Sequence, residues 1–306
     1  MYYFLQRRLL GLIPVLWGVG TCVFLIIHLV PGDPAALMLG DTATAAEVAT
    51  LRESLGLNAP LMQQYAEFFQ RLCTGDLGMS LRTRQPVISM VLERLPATLE
   101  LTVASLIVAL TIALPMGILT AAKRYTAIDD TGLAFSLIGV SIPAFWLGPM
   151  LIIVFGLWLG WLPVSGRGGL LHVILPAVSL GVALAAMISR LTRSSLIEVL
   201  DQDYIRTARA KGLAEWRILL RHALRNALVP VVTIVGLQFG ALLGGTVITE
   251  VIFAWPGVGR LLITAIQARD YPLVQGCVLV IAFCYVIINF LVDLLYAVID
   301  PRVSYS

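Results

Sequence analysis

Among the side chains of this 306-residue sequence that can do chemistry, the cations are the ones gathered together. Eight of the 21 Lys and Arg fall between positions 190 and 225: Arg190, Arg193, Arg206, Arg209, Lys211, Arg217, Arg221 and Arg225. Their spacing suits binding rather than catalysis. Arg217, Arg221 and Arg225 are four apart, so a helix would set them on one face, toward anionic headgroups or solvent. Asp203 is placed to cap a short helix that ends at Gly212, a residue that tolerates positive φ. Between them Thr207, Ala208 and Ala210 are small enough for another surface to come close. The other reactive types are dispersed. His28, His172 and His222 are far apart, and Cys22, Cys73, Cys277 and Cys284 form no C-x-x-C, so neither a zinc site nor a disulfide framework is expected. No G-x-x-x-x-G-K-[ST] loop occurs, so nucleotide phosphates cannot be cradled by that device, and no Ser/His/Asp set stands out.

A second group consists of polar residues in apolar surroundings, where ionisable side chains carry a large penalty and usually have a partner or a task. Asn289 and Asp293 are four apart, hence on one helix face. They either line a path or, with Asp293 near a helix end, pair with Arg190 or Arg193; the pairing is the expectation. Gln238 needs a partner in mid-span. Glu250 is expected at the mouth of a cavity or in the headgroup region, and Glu100 at an interface.

The elements that must hold these residues are membrane spans. With 59% hydrophobic and 13% charged residues, the chain falls well below the roughly 25% charge of soluble domains. The formal net charge of +3 is small and its cations are local, so nucleic acid is not an expected partner. Six stretches lack charge: 9–32, 101–122, 131–166, 168–189, 226–249 and 271–292. Five have the length of one span. The third reads as one span near 137–160, preceded by a surface segment and kinked at Ser141-Ile142-Pro143. Leu9–Ile27 reads as a retained first span rather than a cleaved signal. Six spans put both termini on one side. With the N-terminus inside, the cytoplasmic segments hold 13 Lys and Arg and the short outer loops 3, the asymmetry expected of a cytoplasmic basic loop. The fold class is therefore all-α and integral to the membrane.

Between the first two spans lies a polar, helical insertion. Pro31-Gly32-Asp33-Pro34 is a helix stop; Thr44 and Glu47 have capping-box spacing; Gly56 ends that helix. A further helix runs from Asn58-Ala59-Pro60 to about Arg71 with Tyr65, Phe68 and Phe69 on its apolar face. Gly75-Asp76-Leu77-Gly78 is a turn, and Pro86 opens a helix through Leu95. Gly236, Gly240 and Gly244 form a small-residue stripe, for packing within the chain or against a second subunit. Trp255 in Pro256-Gly257-Val258-Gly259 surroundings suits an interfacial segment.

The basic segment resembles the cytoplasmic EAA loop of permease subunits of binding-protein-dependent ABC importers. The wording Tyr204-Ile205-Arg206-Thr207-Ala208-Arg209-Ala210-Lys211-Gly212, then Arg221-His222-Ala223-Leu224-Arg225-Asn226-Ala227, is similar to the peptide, nickel and glutathione branch. Trp255-Pro256-Gly257-Val258-Gly259, Arg269-Asp270-Tyr271-Pro272, the end Asp293 to Asp300-Pro301-Arg302, and the insertion's Pro-Gly-Asp-Pro and Gly-Asp-Leu-Gly extend the likeness over nearly the whole chain. Arg206 and Thr207 stand where the general pattern has Glu and Ala, and Pro230 comes later than the usual proline; both departures fit the branch.

The resemblance implies a six-helix type I importer permease, with residues 1–98 forming the first span plus a periplasmic insertion and 99–306 a five-helix core carrying the loop 190–230. It implies that Asp203 to Gly212 form the coupling helix that docks on an ATPase. Ser141, Phe145, Gln238, Glu250, Asn289 and Asp293 are then the candidate path residues, and the insertion helps seat a binding protein. The implied partners are a second homologous permease, two ATP-binding subunits that use ATP and Mg, a periplasmic or lipid-anchored substrate-binding protein, and membrane lipid. The chain itself would hold no cofactor or metal and would not be an enzyme. Short peptides, including glutathione, are the expected cargo, with nickel or a metal chelate as the rival. A stand-alone secondary transporter would call for internal inverted repeats, and none is evident; a membrane enzyme would call for a catalytic group at the membrane face, and none stands out.

Overall fold

The computed structural model describes residues 2–29, 33–39, 44–54 and 56–299. The proposed stop at Pro31-Gly32 and the terminal Asp300-Pro301-Arg302 lie outside them. The described residues are helical in thirteen segments: α1 (Tyr2–Leu29), α2 (Pro34–Leu39), α3 (Ala45–Ser54), α4 (Leu61–Cys73), α5 (Val87–Ala122), α6 (Ala127–Ser141), α7 (Ala144–Leu151), α8 (Leu170–Leu200), α9 (Asp203–Ala210), α10 (Glu215–Arg217), α11 (Leu224–Ile252), α12 (Val258–Gln267) and α13 (Tyr271–Ile299). Two π-helical stretches, Ile152–Trp158 and Ile218–Ala223, continue α7 and α10. Five helices are long and apolar enough to cross a membrane; α6 with α7 and its π extension makes a sixth if that pair, bent by 100°, is one span.

The chain divides into two compact units, one of residues 1–97 with 256–286, the other of 98–255 with 287–306. In the first, the insertion is held by the chemistry its sequence announces. The backbone N–H and the hydroxyl of Thr44 both donate to Glu47 Oε2 at 2.8 Å, and the Glu47 N–H returns a bond to the Thr44 hydroxyl at 3.3 Å. That reciprocal pair caps α3, and Gly56 at φ 68° ends its run. Pro60 precedes α4, whose Tyr65 and Phe68 rings lie 5.2 and 5.6 Å from Phe24 of α1, while the Tyr65 and Thr21 hydroxyls are 2.7 Å apart. A second cluster joins Val87 and Val91 of α5 to Val258, Ala265, Leu273 and Cys277.

In the second unit, α8 is the central helix. Ala109 and Ala113 of α5, Leu184, Ala185 and Ile188 of α8, and Val231 of α11 share one core. Small residues permit close approach: a Cβ at Gly132 of α6 would run into Thr120 of α5, and one at Gly236 of α11 would run into Val292 of α13. The stripe thus packs within the chain at Gly236, whereas Gly244 faces open space.

Several helix limits differ from the sequence reading. The helix starting after Pro86 does not end at Leu95; it continues as α5 through Pro96 into the second span. Proline is tolerated in membrane helices because surrounding groups and local winding satisfy the freed carbonyl. The helix carrying Arg217, Arg221 and Arg225 runs without a break through its π stretch into α11, with Pro230 inside. In the third stretch α6 is helical from Ala127, and the sharp bend falls at the expected Ser141-Ile142-Pro143.

Candidate functional site

The loop between α8 and α11 is built on a local core. Ile205 and Ala208 point inward and pack with Leu196, Val199 and Ile218; Tyr204, Arg206, Thr207, Arg209, Ala210 and Lys211 form the outer face. This corrects the placing of Ala208 among the close-approach residues: at 8% exposure it serves the chain's own packing, and Thr207 and Ala210 remain available. Asp203 is also displaced by one position. Gln202 is the N-cap residue and makes no side-chain cap bond. Asp203 is the first residue of α9, where a carboxylate still favours the positive end of the helix dipole. Gly212 follows the helix at φ 76°, and its N–H reaches Arg209 O at 2.9 Å. The positive φ is the reason this position wants glycine.

Two contacts fix α9 against the start of the following span. Asn226 Nδ2 donates to the Tyr204 hydroxyl at 2.8 Å, and that hydroxyl donates to His222 O, in the π stretch, at 3.4 Å. Arg209 Nε donates to Glu215 Oε1 at 2.7 Å, closing the turn between α9 and α10. Arg217, Arg221 and Arg225 remain exposed.

The candidate path residues occupy very different settings. Ser141 and Phe145 flank the bend, exposed, with the Ser141 hydroxyl donating to Leu137 O at 2.7 Å. Gln238 donates to Met187 Sδ at 3.3 Å. Asn289 and Asp293 are half-buried on α13. Glu250 does not line an open cavity mouth: it is fully buried, and Thr98 Oγ1 donates to its Oε1 at 2.7 Å. A carboxylate is tolerated in a packed interior when hydrogen-bonded in this way. Trp255 is completely buried rather than lipid-facing, with the Arg167 guanidinium 6.0 Å from its ring centroid. Arg167 also donates to Glu100 at 2.8 Å.

Of the two partners expected for Asp293, Arg190 and Arg193, the second is engaged elsewhere. Arg193 Nε and Nη2 donate to the two oxygens of Asp129 at 2.6 and 2.7 Å, a bidentate pair of the strong geometry. Asp129 also accepts the Tyr125 N–H at 3.1 Å. The pair ties α6 to α8, and sequence reasoning missed it; Asp129 in the first turn of a helix preceding an apolar run was the available signal. Among the described residues no three His, Cys, Asp or Glu side chains come together as metal ligands would.

Comparison with known proteins gives a consistent likeness along the whole chain. Residues 113–305 match the family described as binding-protein-dependent transport system inner membrane component, and residues 1–102 its N-terminal counterpart. The glutathione transport system permease protein GsiC of Escherichia coli O6:H1 (strain CFT073) is 45% identical over 306 residues, all of both chains. GsiC of strain K12 is 44% identical and that of Salmonella choleraesuis 45%, again over full length. Among solved structures, the inward-facing MetNI methionine ABC transporter aligns with a TM-score of 0.57 at 21% identity, over 70% of this chain and 97% of that one. An amino acid ABC transporter aligns with a TM-score of 0.53 at 15% identity, over 71% and 95%. These two show the fold.

Proposed function

The chain belongs to the family of binding-protein-dependent transport system inner membrane components, an integral inner-membrane permease working within a transporter complex, and on that premise we propose that it carries short peptides, glutathione among them, inward at the expense of ATP hydrolysed by other subunits. One observation carries the cargo: identity of 45% over the full length of both chains with a glutathione permease. In this reading the chain forms half of the path beside a second, similar permease. Two ATP-binding subunits using ATP and Mg dock on the loop from Asp203 to Gly212, and a periplasmic or lipid-anchored binding protein delivers cargo. Residues 1–98 supply the first span and the outer insertion, 99–306 the transporting core, and both termini are cytoplasmic.

An ATPase can drive the spans only if the loop makes different contacts in the two states. The outer face of α9 is free for such contacts, while Ile205 and Ala208 on its inner face and the Tyr204–Asn226 bond tie it to α8 and α11. Movement imposed on the outer face is thereby passed to the spans.

The test is uptake in cells that carry the whole system. Radiolabelled glutathione or a dipeptide is expected to accumulate only when this chain, its ATPases and a binding protein are all present, and to be lost with an ATPase variant that binds but does not hydrolyse ATP. Accumulation that persists without any ATPase, or of nickel in place of peptides, would sink the reading.

A further inference from the structure

Within the first unit, the end of α1, helix α4, the turn after it and the first turns of α13 enclose a cavity of about 710 Å³. That is within the range of small-molecule sites, about 300–1,000 Å³. Its apolar surface comes from Phe24, Phe68, Leu72, Leu77 and Leu279, and its charge from Arg71, Arg84, Glu67 and Asp76. Other polar groups facing it are already engaged. His28 is held between Phe24 O at 3.0 Å and Gln64 Oε1 at 3.1 Å, and Gln275 donates to Val23 O at 3.1 Å. The charged groups retain capacity. Glu67 and Asp76 each use one oxygen, on Gln63 and on the Gly78 N–H. Among the described residues, the Arg71 and Arg84 guanidinium groups have no hydrogen-bonding or ion-pairing partner.

The wall that carries Arg84 is preorganised. Ser80 N–H donates to Gln85 O at 2.9 Å and Arg84 N–H to Ser80 O at 3.0 Å, closing a tight turn. Asp270, 1% exposed, anchors that turn by accepting the Ser80 hydroxyl at 2.5 Å and the Leu81 N–H at 3.3 Å. Arg84 itself sits at φ 57°, in the left-handed region that disfavours any side chain. A strained arginine held at the rim of a cavity by a buried carboxylate is the kind of outlier that points to a task.

We propose that this cavity binds a small zwitterion of the peptide type: carboxylate on Arg71 and Arg84, ammonium on Glu67 and Asp76, and side chains against the phenylalanines and leucines. The inference rests on the short-peptide reading above and places a peptide site apart from the coupling loop, filled without the binding protein. Two acids at the same rim argue against an anionic headgroup, which they would repel.

Equilibrium dialysis tests it, using the purified importer complex without binding protein in synthetic phosphatidylcholine nanodiscs and radiolabelled glutathione or Ala-Ala as probe. Saturable binding is expected, weakened about ten-fold or more by R71A and by R84G, the size of one lost charge-assisted bond. R84G relieves the left-handed strain, so its loss of binding cannot be attributed to misfolding. Glutathione diethyl ester should bind more weakly by a similar factor. The proposal is overturned if the wild-type complex fails to bind either probe, if both variants bind as well as wild type, or if mass spectrometry finds instead a co-purified phospholipid that both substitutions release. Peptide uptake by the whole system without this binding removes the cavity site alone; absence of peptide uptake removes the cargo reading and this inference with it.

Discussion

Removing the Asp129 carboxylate takes the bidentate acceptor from an Arg193 side chain that is only 21% exposed in the intact pair. Breaking a buried pair from one side is more destabilising than never having had it, so D129A should lower stability by about 3 kcal/mol. D129L with R193M, which removes both charges, should recover much of the loss. Thermal unfolding in detergent measures this, and a D129A protein as stable as wild type would show that the pair is idle. Glu250 makes a second case. T98V keeps the shape of the side chain but withdraws a donor at 2.7 Å from a fully buried carboxylate, and about 1–2 kcal/mol should go with it. A T98V unfolding temperature equal to that of wild type would mean other donors satisfy Glu250 without Thr98.

At the scale of the element, α9 separates packing from docking. A208W forces an indole into the cluster of Ile205, Leu196 and Ile218, and overpacking of that kind costs about 1–3 kcal/mol. A210W places the same indole on the outer face. The expected outcome is that A208W accumulates poorly in the membrane, whereas A210W accumulates normally but supports neither ATPase co-purification nor uptake. An A210W complex that assembles and transports normally would remove α9 as the docking element. Helix α3 offers a pH test. The Thr44 backbone N–H, then its hydroxyl, hold the Glu47 carboxyl below the usual carboxylate range. A depressed folded value contributes stability present above the unfolded value, near 4.3, and lost as pH falls through the folded one. Amide exchange in α3, corrected for its intrinsic pH dependence, should therefore quicken in acid for wild type and hardly change with pH in E47Q. Identical pH profiles would count against the capping role. These local features were legible in the sequence because caps, glycine ends and apolar runs are short-range signals: the Thr44–Glu47 box, Gly56, Gly212 and the bend at Pro143 all fall where their residues indicate. What could not be read was partnership across the chain. Asp129 meets Arg193 over 64 positions, Glu250 meets Thr98 over 152 and Asp270 meets Ser80 over 190. Hydrophobic periodicity carries no record of such pairings, so Glu250 and Trp255 looked interfacial when the fold buries both. The helix end expected at Leu95 misled for a different reason: Pro96 is a breaker in water, but long membrane helices accommodate proline.

At the scale of the whole molecule, everything proposed for the loop depends on which side of the membrane it faces. The basic segment between α8 and α11 is continuous with two long spans, so its side is fixed by how those spans insert. Inverting the chain would send all eight cations of residues 190–225 across the bilayer, against the bias that retains Lys and Arg of short loops in the cytoplasm. The insertion offers no counterweight, since the five cations of 33–98 lie in a long loop of the kind that translocates largely regardless of charge. In a cysteine-free background, cysteines placed at Lys211 and at Gln63, both exposed, separate the two orientations. A membrane-impermeant maleimide added to spheroplasts should label Q63C at once and K211C only after the membrane is opened. Labelling of K211C in intact spheroplasts would put the loop outside, beyond reach of any cytoplasmic ATPase, and no contact made by α9 could then couple hydrolysis to transport.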